Sequence, residues 1–272
     1  MFIYFHNKKN IYYKTKGNGI SMVFLHGFME SLEIWNYIYD IFSKKYKVLS
    51  IDLPGHGKSF LEAKNFSTTT TTMEEVADTI KFILQKENIE KAVFIGHSMG
   101  GYIALALAEE YPEIFLGLCL LHSTAESDTK EKKNNRIRSI KFAIDNYPLF
   151  VSTSIKTLFN PNKLSSLQKE LKFLKKIAIS TPVHSVISFL RGMSIRVDRR
   201  FLLKKTKFPK LYVVGVYDLI LPAKKLREEA KIGYNSYCVD VQTGHMGPIE
   251  NPQEIVKVLE SFMEIVKNKD DR

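Results

Sequence analysis

The sequence predicts an α/β protein: a mostly parallel central sheet with helices on both faces and one inserted helical lid. Two observations carry this. Short apolar runs alternate with helix-spaced segments up to residue 123, and again from residue 208 onward. That is the pattern of parallel strands joined by helical crossovers. Between the two stretches, residues 124–207 hold helix-like segments and no convincing strand. A chain of 272 residues suits one large domain carrying an insertion. The expected division is a core of 1–123 with 208–272, and a lid (cap) of 124–207.

The elements follow in order. Phe2–Phe5 and Ile11–Lys14 flank the turn-like HNKKN and read as a hairpin. Ser21–Leu25 is a short apolar strand running into His26-Gly27-Phe28. Ser31–Phe42 carries apolar residues at helical spacing, and Tyr46–Ile51 is a further strand. The threonine run Thr68–Thr72 reads as a loop. Thr72-x-x-Glu75 is a capping-box pattern opening a helix to Gln85, with Val76, Ile80, Ile83 and Leu84 on one face. Lys91–Ile95 is a strand, Gly96–Gly101 a turn, and a helix then runs to Tyr111 and stops at Pro112. Leu116–Leu121 is the next strand. In the inserted region helices are expected near 129–146, 163–179 and 183–194, separated at Pro148, Pro161 and Pro182. Leu211–Val216 and Ser236–Val241 resume the strands, and Pro252–Val266 is a closing amphipathic helix.

Composition narrows the class. With 44% hydrophobic and 25% charged residues the chain is too apolar for a disordered protein. No apolar run approaches 18 residues, so no membrane span is expected. The N-terminal MFIYFHNKKN lacks the charge order of a secretory signal, and a cytoplasmic protein is expected. Cys119 and Cys238 both lie in apolar runs and read as buried hydrophobes, not a disulfide pair. The net charge of +11 is localised: residues 124–210 hold 20 Lys and Arg against 6 Asp and Glu, while the remainder holds 20 against 23. A solvated helical face is the plain reading of that segment, and steering of an anionic ligand is the sharper one. It lacks the aromatic interleaving of a nucleic-acid module, so no nucleic-acid partner is expected.

The chemistry centres on Gly96-His97-Ser98-Met99-Gly100-Gly101, between a strand and a helix. G-x-S-x-G alone arises by chance in roughly one chain of this length in ten. Its strand–turn–helix setting is what gives it weight, because a nucleophilic serine must stand proud of the sheet on a sharp turn. Gly96 and Gly100 let strand and helix approach without a Cβ clash. Such a serine needs an acid and then a base later in the chain. His245 lies in Gly244-His245-Met246-Gly247-Pro248 after the last strand, and Asp218 lies just past Val213–Tyr217. Asp240 competes for the acid role but sits inside a strand, and Glu250 reads as ordering the final helix. The backbone N–H groups of Met99 and Phe28 are placed to receive a developing oxyanion. His6, His122 and His184 show no ligand spacing, so no metal and no cofactor are expected.

Together His26-Gly27-Phe28, Asp52-Leu53-Pro54-Gly55-His56-Gly57-Lys58-Ser59, the Ser98 turn, Asp218 and Gly244-His245-Met246 resemble the lid-bearing α/β-hydrolase superfamily, over essentially the whole chain outside the lid. The resemblance implies the α/β-hydrolase fold, with Ser98 as nucleophile, His245 as general base, Asp218 as its orienting acid and a Phe28–Met99 oxyanion hole. It implies a structural role for the Asp52 motif. The sequence departs from its relatives at Gly247, where they often carry Pro or another residue, and lacks the triple-glycine loop of some lipases. Candidate pocket residues are His26, Trp35 and Met246, beside Phe28 and under the lid. His26 also reads, with His56 and His97, as a structural hydrogen-bonder, and Met99, Met193 and Met246 serve equally as packing.

The implied activity is hydrolysis of a small carboxylic ester through an acyl-enzyme, the partner being a small-molecule ester or acyl substrate. The same triad in this superfamily also cleaves thioesters, lactones, amides and carbon–carbon bonds, and these stay open. Dehalogenase and epoxide hydrolase are disfavoured, because those relatives carry Asp where Ser98 stands. A non-catalytic ligand sensor is the alternative of another class, which an intact triad argues against.

Overall fold

Strand pairing assembles the apolar runs in an order different from that of the chain. The computed structural model describes residues 2–6, 9–62 and 69–270. Its strands are β1 (Phe2–His6), β2 (Lys9–Lys16), β3 (Ser21–Leu25), β4 (Lys47–Ile51), β5 (Ala92–His97), β6 (Phe115–Leu121), β7 (Lys210–Gly215) and β8 (Ser236–Val241). They form one sheet in the order β1-β2-β4-β3-β5-β6-β7-β8. The expected hairpin pairs Phe2 with Tyr13 and His6 with Lys9, and β2 is antiparallel to β4. From β4 to β8 every pairing is parallel. The turn residues Asn7 and Lys8, the His6 side chain and Thr68 lie outside the described residues.

Parallel strands covered on both faces must be apolar along their whole length, and β3, β5 and β7 are buried at every position. The core helices are α1 (Asn36–Phe42), α2 (Met73–Lys86), α3 (Met99–Glu110), α9 (Ala223–Ala230), α10 (Gly247–Glu250) and α11 (Pro252–Asp270); α4 to α8 come between β6 and β7. The Thr72–Glu75 capping box forms at the start of α2. Phe262 and Val266 of α11 close over Gly117 of β6. Strand β8 is an edge strand, exposed at four of its six positions. Cys238 therefore departs from the expectation of a buried thiol, whereas Cys119 is buried.

Between β6 and β7 lie five helices where three were expected: α4 (Lys130–Asp145), α5 (Tyr147–Leu158), α6 (Gln168–Ser180), α7 (Val183–Ile195) and α8 (Arg200–Lys205). Pro148, read as a break, opens α5. A proline in the first turn loses nothing, because that N–H has no partner within the helix, and Asn146 caps the turn by accepting from Leu149 N at 3.1 Å. The predicted helix over Ser31–Phe42 divides into a 3₁₀ turn at Leu32–Trp35 and α1. Among the described residues no helix is long and apolar enough to cross a membrane.

The two ends of the inserted region are pinned to each other and to the core. Arg196 Nη1 lies 2.7 Å from Asp128 Oδ1, with both side chains buried. The same guanidinium donates to the carbonyls of Met193 and Glu126 and stacks 4.1 Å from the Tyr102 ring centroid on α3. Arg136 pairs with the other Asp128 oxygen. Burial alone would raise the Asp128 carboxyl, but the two guanidiniums hold it below the usual range. Asp128→Asn leaves Arg196 buried without its counter-charge, and a loss of about 3–5 kcal/mol is expected near neutral pH. A depressed folded pKa gives stability that is full above the unfolded value of about 4 and fades as pH falls through the folded one. Urea unfolding should therefore show a wide gap between wild type and variant at pH 7 that narrows in acid.

Candidate active site

Strand β5 hands over to α3 at Ser98, whose backbone stands at φ +49° and ψ −114°. A side chain there is strained, and such strain persists only where the surroundings fix it. Three backbone contacts do so: Ser98 N donates to Leu121 O at 3.0 Å, Gly101 N to Ser98 O at 3.0 Å, and Ser123 Oγ to Ser98 O at 2.7 Å. A Cβ at Gly96 would lie 2.5 Å from Gly101, and one at Gly100 would lie 2.2 Å from Leu25 O. No other residue fits at either position.

Two further loops meet this turn at the carboxyl ends of the parallel strands, where open α/β sheets bring their chemistry together. His245 Nε2 lies 2.9 Å from Ser98 Oγ, and its Nδ1 lies 2.7 Å from Asp218 Oδ2. The other Asp218 oxygen accepts from Ile220 N and Leu221 N. Burial would raise the Asp218 carboxyl, but the neighbouring His245 ring and these N–H donors hold it below the usual range. An Nε2 that accepts from the serine hydroxyl leaves its proton on Nδ1, facing the carboxylate. Asp240 is exposed and paired with Arg227 at 2.7 Å, away from the imidazole.

The loop that carries His245 is tied to the helices between β6 and β7. His245 N donates to Leu158 O at 2.7 Å, at the end of α5. Glu250 accepts from Gly244 N, Met246 N and Asn160 N, so one carboxylate gathers the base loop and the α5 exit. Its role is thus the base loop, where the sequence suggested the last helix. Met99 opens α3 and Phe28 is half-buried on the loop after β3. Met246 is fully buried. His26 and Trp35 are core residues here. His26 uses one ring nitrogen on Gly27 O and the other on Leu53 N, which shapes the loop. Trp35 packs on Phe24 and edge-on to His97. Burial lowers the His56 imidazole to about 4, and its Nδ1 binds Pro54 O. Asp52 accepts from Leu32 N and Lys58 N, knitting its motif together.

Glu30 and His122 went unnoticed as site residues. Glu30 has no sequence signal beyond standing three residues after Gly27. His122, at the end of β6 with φ +47°, is fully buried 4.0 Å from Asp218 Oδ2. Burial lowers its imidazole well below the ordinary range.

The family model described as "alpha/beta hydrolase fold" matches residues 20–252. The chain belongs to that family. It is a hydrolase of the α/β fold, similar over 94% of its length to a "Pimeloyl-[acyl-carrier protein] methyl ester esterase" of Wigglesworthia glossinidia brevipalpis, of which it covers 98% at 27% identity. Among solved structures it is similar to a thermophilic esterase from Thermogutta terrifontis, at 26% identity and a TM-score of 0.88, covering 95% of this chain and 94% of that one. An enol-lactonase from Burkholderia xenovorans LB400 shares the fold at 21% identity and a TM-score of 0.86, over 95% of this chain and 98% of that one.

The departure at Gly247 has a local cause. A Cβ there would lie 2.3 Å from His122 Nε2, so a bare backbone at 247 makes room for the buried ring. Gly247→Ala should destabilise the wild type more than it does a His122→Ala background, with a coupling of about 1–2 kcal/mol. A denaturant double-mutant cycle measures it, and strict additivity would refute the steric link.

Proposed function

We propose that the protein hydrolyses a carboxylic ester through an acyl-enzyme on Ser98. The observation that carries the reading is the continuous Ser98 Oγ–His245 Nε2 and His245 Nδ1–Asp218 Oδ2 relay at 2.9 and 2.7 Å. The esterase names of two relatives above 25% identity support it. His245 takes the hydroxyl proton as Ser98 Oγ attacks the carbonyl carbon. The tetrahedral oxyanion is received by the N–H groups of Phe28 and Met99, each donor contributing about 3–4 kcal/mol. Collapse breaks the ester bond, and the alcohol leaves with the proton from His245. A water then gives a proton to His245 and attacks the acyl carbon, and His245 returns that proton to Ser98 Oγ as the acyl bond breaks and the acid is released. Asp218 holds the tautomer and stabilises the imidazolium. In this reading residues 124–207 are the lid, and the bonds from Leu158 and Asn160 to the base loop are where it meets the catalytic end.

Ser98→Ala should lower kcat by roughly 10⁴–10⁶-fold with the fold intact, and Asp218→Asn by about 10⁴-fold through loss of the tautomer. Intact mass after a fluorophosphonate probe should show one adduct on wild type and none on Ser98→Ala. More than a tenth of the activity surviving in Ser98→Ala would sink the assignment.

A second reading concerns the acyl group. Lys130, Lys133, Arg138 and Lys141 stand exposed on α4, and Lys169, Lys172 and Lys176 on α6. These exposed cations favour an anionic acyl donor such as a coenzyme A thioester or a carrier-bound ester, the latter in keeping with the name of the Wigglesworthia protein. Steering of this kind fades with ionic strength. Between about 50 and 500 mM salt, kcat/KM for an acyl-coenzyme A should fall steeply, while that for a neutral ester of the same acyl length stays level.

A further inference from the structure

A second carboxylate–imidazole pair lies beside the first and touches both loops that the proposed reaction needs. Glu30 is 1% exposed and His97 is fully buried. Glu30 Oε2 accepts from Gly27 N at 2.6 Å, on the loop that presents Phe28 N–H. The same oxygen lies 2.9 Å from His97 Nδ1. On its other side, His97 Nε2 lies 2.8 Å from the main-chain oxygen of His245.

The partners fix the protons. A carbonyl oxygen only accepts, so His97 Nε2 carries a hydrogen. The Nδ1–Oε2 link then holds one more, and the pair is neutral overall whichever atom owns it. Burial alone would lower the His97 imidazole, but the Glu30 charge beside it outweighs that and raises it. The imidazole is thus a two-ended rod: one end is anchored on a buried charge, the other on the peptide of the base.

We propose that Glu30 and His97 are positioning residues that hold the oxyanion loop and the base loop in one register around Ser98. The inference rests on the proposed role of Ser98. Oxyanion donors and base must both sit within a few tenths of an ångström of the reacting atoms, and a displacement of about 1 Å can cost roughly 10²-fold in rate. Each loop is bonded elsewhere as well, but this pair links one to the other through side chains alone. A hydrophobic filler of equal volume would keep the packing and lose the link.

Glu30→Gln is the discriminating variant. Both bonds use the one Oε2 position, where the amide either accepts from Gly27 N as oxygen or donates to the bare His97 Nδ1 as nitrogen, and cannot do both. The shape is kept and one of the two bonds is lost. With p-nitrophenyl acetate as probe, kcat should fall by roughly 10–10² with KM within about threefold. Fluorophosphonate labelling should slow in step. His97→Gln should fall in the same range, and the double variant should be no slower than the worse single one. His97→Gln provides the same reading if Glu30→Gln does not fold. Wild type that labels and turns over, with kcat of the folded variant within threefold, overturns the pair alone. Wild type that neither labels nor turns over overturns the Ser98 reading and the pair with it.

Discussion

At Ser98 the chain leaves β5 and enters α3 with φ +49°, and everything near the site is arranged around that turn. The helix start comes so close to the neighbouring strand end that a Cβ at Gly100 would meet Leu25 O at 2.2 Å and His26 O at 2.8 Å. This is van der Waals contact between two main chains. It brings the loop after β3, which carries Phe28, against the first turn of α3, which Met99 opens. The strain at Ser98 is offset by its surroundings: the strand ladder below, the Ser123 hydroxyl on its carbonyl, and a helix that cannot begin elsewhere.

Around the turn stand two buried acid–imidazole pairs with different tasks. In the Asp218–His245 pair the imidazole leaves its outer nitrogen without a proton and turned toward a hydroxyl. In the Glu30–His97 pair the outer nitrogen must carry a proton, because it faces a carbonyl. Two carboxyl–imidazole pairs thus hold different proton inventories, set by the one atom at the far end of each ring. His122 makes a third imidazole nearby, its ring 5.9 Å from those of both His97 and His245. Burial and crowding of like rings hold it neutral.

Much of this was legible in the sequence, and the divide is physical. Buried parallel strands are continuous apolar runs, so β3, β5, β6 and β7 announce themselves. The Ser98 turn shows because close approach demands glycine at fixed offsets. The order Ser98, Asp218, His245 shows because each follows a strand. Helices α5, α8 and α9 were missed: Pro148 looks like a breaker when its position is a helix start, and six- and eight-residue helices carry too few turns for a period to emerge. Cys238 was misread because an edge strand and a central strand have similar composition, and only pairing order distinguishes them. Glu30 and Glu250 were invisible as loop organisers, since each acts on backbone N–H groups, and a backbone donor leaves no mark on residue type.

The Ser98–His245 bond joins residues 147 positions apart, with the inserted helices synthesised in between. A chain emerging from the ribosome holds strand, turn and Ser98 long before it holds His245. That bond can close only once β8 has been made and the loop behind it has met Leu158. The timing of that contact is written into the order in which the strands are made.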